Sequence, residues 1–214
     1  MSRRVDPFLT YVAAFHLTWI AWPFVVYPRL IAIGDATLTY ALLNISLRLL
    51  IWVVPVVLYL SLVDRVDPVA YLRLSTYRAR GVAVALVVTV LNLAGMVARF
   101  GVPHPTPQSL TWNSVLGTSI MVGFIEEIPY RGFMLRQFTE RIGRWPATLI
   151  TSLLFVFIHV PGWIALHTMR VDRAASIFIF AVIMGLLVTY SRSLWASIIA
   201  HSANDWLSFV IFRV

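Results

Sequence analysis

Residues 123–133 read GFIEEIPYRGF and set Glu126, Glu127 and Arg131 in an otherwise apolar stretch. Glu127 and Arg131 are four residues apart, so on a helix they share a face and pair. Glu126 is turned about 100° from Glu127, with Ser119, Gly123 and Tyr130 on its own face. Small residues there admit another helix close to the Glu126 carboxylate. Pro129 removes the hydrogen bond to the Ile125 carbonyl and loosens the helix beside Glu126. Downstream, FVFIH presents His159 one turn after Phe155, and Ser197, His201, Asn204, Asp205 and Ser208 form a polar stripe at helical spacing. An acid and two imidazoles suit three chemistries: activation of water by a general base, a three-ligand zinc site on Glu126, His159 and His201, or a proton relay.

The elements that carry these groups are hydrophobic. Sixty per cent of the 214 residues are apolar and 12% are charged, the composition of an integral membrane protein. The expected fold is all-α, a polytopic bundle of about seven membrane-spanning helices of about 20 residues each. The spans fall at 8–27, 37–63, 81–100, 114–138, 146–168, 174–191 and 193–212. Residues 67–80 are basic and amphipathic and read as a short interfacial segment, while the proline-rich 101–110 reads as a loop. The first apolar run is long and lacks a following A-x-A site, so it reads as a span and not a cleaved signal. Residues 1–113 read as N-terminal helices with an amphipathic connector, and 114–214 as the chemistry-bearing core of one membrane domain. Cysteine is absent, which excludes thiolate nucleophiles and cysteine metal sites. The formal charge of +8 comes from arginine alone and orients the spans, so nucleic acid is rejected as a partner.

Arginine in the connections sets the topology. A cytoplasmic N-terminus puts Arg3, Arg4, Arg65, Arg73, Arg78, Arg80, Arg136, Arg141, Arg144 and Arg192 inside, against Arg29, Arg99, Arg170, Arg173 and Arg213 outside. At about 1.5 Å per residue, Glu126, His159 and His201 then lie in one layer of the inner half of the bilayer. Charges at that depth cost about 2.5–3.5 kcal/mol each, so these groups face protein or a wet cavity. Arg48, deep in the second span, is expected to pair with Asp35 or to snorkel. His16, His104 and His167 read as interfacial or loop residues.

With these residues in view, the sequence resembles the CAAX-protease and bacteriocin-processing family of intramembrane glutamic-type proteases. EEIPYRG resembles its EExxxR motif, FVFIH its FxxxH motif, and HSAND its HxxxN/D motif; the similarity covers about residues 114–210. The resemblance implies hydrolysis of a peptide bond in a membrane-tethered protein or peptide, with no cofactor. Carried over by position, Glu126 and His159 activate water, His201 and residue 205 stabilise the oxyanion, and Glu127 and Arg131 hold the site together. Tyr130 and Asn204 are supporting candidates. Many relatives have asparagine where this chain has Asp205, and an ionised aspartate cannot donate to an oxyanion. Three readings follow: Asp205 stays protonated, Asp205 orients His201 (the preferred one), or Asn204 is the donor.

Other classes fit parts of the pattern. A non-catalytic membrane binding or immunity protein would keep the fold and tolerate loss of Glu126. A proton or ion transporter would show repeats or paired broken helices, and the sequence has neither.

Overall fold

The structure, a computed structural model, describes residues 6–103, 105–106 and 110–212, and among them every regular element is helical. Arg3, Arg4, His104 and Arg213, used above, lie outside the described residues. Helix α1 (Pro7–Val25) starts where the Asp6 carboxylate accepts from the Phe8 amide at 2.8 Å, with Pro7 pre-set for the first turn. Helix α2 (Leu38–Val63) is capped by the Thr37 hydroxyl and carries Pro55 between two stretches of wide, π-type turns, Leu49–Val53 and Tyr59–Val63. Such turns absorb the carbonyl that proline leaves without a donor. Helix α3 (Arg78–Phe100) ends at Gly101, whose φ of 80° suits glycine.

Helix α4 (Asn113–Ile120) leads through Met121 into α5, residues 122–142. The wide turn Ile128–Met134 begins one residue before Pro129, so the loosening expected there takes a specific form. Helix α6 (Arg144–Ala165) is interrupted at 158–159, just before Pro161. Helix α7 (Val171–Ser191) and helix α8, residues 195–212, complete the chain.

Among the described residues, five helices are long and apolar enough to cross a membrane: α1, α2, α3, α6 and α7. The other two expected spans, 114–138 and 193–212, are helical as well but hold most of the polar groups singled out above, which lowers their hydropathy. Helix α8 packs against α3, α5 and α7, and α6 lies between α5 and α7. The outer faces stay apolar, with Leu86, Val87, Val90 and Leu91 of α3 exposed as lipid requires. This is an integral membrane protein. Segment 67–80 is helical over Pro68–Tyr71 and again from Arg78, and between them it buries Leu72 in the bundle core.

Candidate active site

The Glu126–Glu127 pair sits on the last α-helical turn before the wide segment of α5. Both are buried, and adjacent positions on a helix turn them toward different neighbours. Glu127 Oε1 accepts from Arg131 Nη1 at 3.1 Å and from His201 Nδ1 at 2.8 Å. Arg131 donates its other terminal nitrogen to the Ala181 carbonyl of α7 at 3.2 Å and lies over the Phe155 ring. One carboxylate thus ties α5 to α8, and its guanidinium partner ties α5 to α7.

Glu126 faces a cavity of about 700 Å³. Its walls include Arg48, His159, His201, Asn204 and Asp205, with Phe155 and Trp163. Arg48 Nη2 donates to Glu126 Oε1 at 3.0 Å. The expectation for Arg48 is therefore corrected: its partner is Glu126, not Asp35, and it does not snorkel. Burying a lone carboxylate is costly, and the guanidinium offsets this where lipid and water cannot.

His159 sits at the interruption of α6 and donates Nδ1–H to the Phe155 carbonyl at 2.8 Å, which leaves Nε2 as the lone-pair nitrogen. On α8, His201 Nε2 stands 3.9 Å from Glu126 Oε2 and 3.8 Å from Asp205 Oδ2. The preferred role of Asp205 is thereby corrected: Glu127 at 2.8 Å holds the His201 ring, and Asp205 is beyond hydrogen-bond reach of Nε2. Asp205 instead accepts from Asn204 Nδ2 at 3.0 Å, and Asn204 Oδ1 accepts from Asn92 Nδ2 of α3 at 3.1 Å.

Tyr130 is fully buried and does not line the cavity. Its hydroxyl lies 3.2 Å from the Leu154 carbonyl and 3.0 Å from His16 Nε2, bracing α5 against α6 and α1. His16 is thus a packed group, not an interfacial one; His167 does lie in the α6–α7 connection. Gly123 explains how α8 reaches Glu126, since a Cβ there would fall on the Ile198 carbonyl oxygen and the Ser202 hydroxyl.

Zinc is a weak fit. Among the described residues no group of three or more His, Asp or Glu side chains is drawn to ligand spacing. Glu126 is held by Arg48 through Oε1, which leaves one carboxylate oxygen, Oε2, for any cation.

Two contributions were not found from the motifs. Arg48 and Asn92 come from α2 and α3, which carry no matching pattern. A charge deep in an apolar span was a signal for Arg48; Asn92 offered only a lone amide within α3.

Residues 107–207 match the family model described as Type II CAAX prenyl endopeptidase Rce1-like. All three motifs fall inside the match, and over this segment the chain is similar to that family of CAAX proteases. No curated protein and no solved structure matches the chain.

Proposed function

We propose that the protein is an intramembrane endopeptidase that hydrolyses a peptide bond in a membrane-tethered protein or peptide, using water activated by Glu126 and His159. The observation that carries this reading is the common cavity of about 700 Å³, lined by an acid from α5 and imidazoles from α6 and α8 inside an apolar bundle. The Glu126 carboxylate takes a proton from water as the water oxygen bonds to the scissile carbonyl carbon. The carbonyl electron pair moves onto its oxygen, and the His159 lone pair orients the attacking water. Glu126 returns the proton to the leaving nitrogen as the C–N bond breaks.

His201 is the oxyanion donor in this scheme. Its Nδ1–H is committed to Glu127, so Nε2 donates when both ring nitrogens carry protons. Charge balance favours that state: Glu126, Glu127 and Asp205 supply three carboxylates, against two guanidiniums from Arg48 and Arg131. One imidazolium makes the cluster neutral. A donor of this kind is worth about 2.7–4 kcal/mol in a water-poor site. Asp205 acts as counter-charge and not as donor, while Glu127 and Arg131 are positioning residues. With the N-terminus cytoplasmic, as the arginine count favours, the site lies in the inner half of the bilayer.

The test is cleavage of membrane-tethered peptides by purified protein, with and without a strong chelator. Activity that persists in chelator and vanishes in Glu126→Ala supports the scheme. Loss in chelator with recovery on added zinc overturns the metal-free mechanism, and full activity in Glu126→Ala overturns the role of the glutamate.

A further inference from the structure

A second polar cavity, of about 280 Å³, opens where the α2–α3 connection, the α5–α6 turn and the α7–α8 turn meet. Five arginines line it: Arg73, Arg131, Arg136, Arg144 and Arg192. Two of them are spent. Arg131 is paired with Glu127 and bonded to the Ala181 carbonyl, and Arg136 pairs with Glu140 at 3.1 Å while stacking on Tyr71. The Glu140 carboxylate is thereby neutralised. Arg73, Arg144 and Arg192 have no carboxylate within ion-pair distance among the described residues, so the rim carries three uncompensated charges.

The backbone holds them there at a cost. Arg73 and Arg192 both adopt left-handed conformations, with φ of 55° and 60°. Burial, and then the neighbouring charges of Arg136 and Arg192, push the Arg73 guanidinium down from its ordinary value. Bringing like charges together costs free energy unless an anion joins them. The hydroxyls of Thr139 and Thr189 already donate to their own helices, so the guanidiniums, with the buried and unpartnered Tyr71 hydroxyl, are the side-chain donors left at the cavity.

The surroundings point to the source of that anion. Exposed Trp145 and Tyr190 lie beneath Arg144, within 6 Å of its guanidinium by ring centroid (5.9 and 5.7 Å). Exposed aromatics at the ends of apolar helices sit at headgroup depth.

We propose that Arg73, Arg144 and Arg192 form a binding site for a phosphate group, supplied by the headgroup of an anionic phospholipid, on the face of the bundle where these three connections meet. It stands apart from the catalytic cavity and does not depend on the peptidase assignment. Basic recesses between membrane helices take lipid phosphates in this way, and each arginine near the surface is worth about a fivefold change in affinity.

The experiment is native mass spectrometry of the full chain in a neutral detergent, with phosphatidylglycerol and phosphatidylcholine added in equal amounts. The wild type retains phosphatidylglycerol in preference. Arg73→Gln/Arg144→Gln/Arg192→Gln loses that preference, while Arg29→Gln/Arg99→Gln/Arg170→Gln, with the same charge removed at the opposite face, keeps it. Arg144 and Arg192 are exposed, so their single variants, each about fivefold weaker, separate lost binding from lost folding. Inorganic phosphate that displaces the lipid assigns the site to the phosphate group itself; phosphate that does not displace it assigns the site to the whole headgroup. Equal retention in the first triple variant, or equal loss in the second, overturns the proposal.

Discussion

Arg48 and Glu126 are 78 residues apart in sequence and bonded at 3.0 Å across the cavity wall. The contact joins α2, which carries no motif, to the first residue of the EExxxR pattern. It holds the carboxylate by one oxygen, Oε1, and leaves Oε2 toward His201.

Replacing Arg48 by Met removes the charge and keeps much of the volume. Glu126 then loses its anchor, and a shift of about 1 Å in a catalytic group costs about 100-fold in rate. The expected result is a fall of that order in kcat with KM little changed, read by single-turnover cleavage. Arg48→Lys recovers part of the loss, because a lysine supplies the charge without the planar fork. An unchanged kcat in Arg48→Met would remove Arg48 from the site.

Glu127→Gln keeps the shape and removes the charge that both Arg131 and His201 face. Breaking a buried pair on one side costs about 3–5 kcal/mol, because the partner stays buried and unpaired. In a domain of this size that corresponds to a melting temperature lower by roughly 6–20 °C. Thermal unfolding in detergent measures it. Replacing both Glu127 and Arg131 with apolar residues is expected to destabilise less than either single change.

Asp205→Asn installs the residue many relatives carry. Asp205 lies 3.8 Å from His201 Nε2 and does not hold the ring, so the variant keeps kcat within about tenfold of wild type. His201→Ala removes the donor and loses about 100- to 1,000-fold. A loss in Asp205→Asn as large as in His201→Ala would mean that the aspartate charge is itself required.

Gly123→Ala puts a methyl group against the α8 backbone. Overpacking of this kind costs about 1–3 kcal/mol. Because the displaced helix carries His201, activity falls further than stability does; cleavage and unfolding measured on the same preparation separate the two.

Much of this arrangement was legible in the sequence, for identifiable reasons. Hydropathy located the helices because lipid demands long apolar runs, and the ends of α2 and α3 fall within three residues of the expected ones. The Glu127–Arg131 pair was legible because spacing of four fixes a shared face. Rise per residue, with the spans alternating in direction, led to the expectation that Glu126, His159 and His201 share one site, and the three do line one cavity. What stayed hidden depended on rotation and on distant partners. Which way α2 turns Arg48, and that α3 reaches Asn204 through Asn92, are set by helix packing, and a single chain carries no periodic signal for that. The same limit misplaced Asp205, since a spacing of four from His201 brings two side chains near without saying which carboxylate the ring chooses.

The contact at Gly123 also bears on how a polypeptide enters. Two rods whose backbones touch leave no gap for an incoming chain, so the α5–α8 side of the chamber is shut. The remaining walls of that chamber are made of side chains and not touching backbones, Trp22, Pro23, Leu166, Ile177 and Phe209 among them, and any polypeptide that reached Glu126 would have to part those side chains.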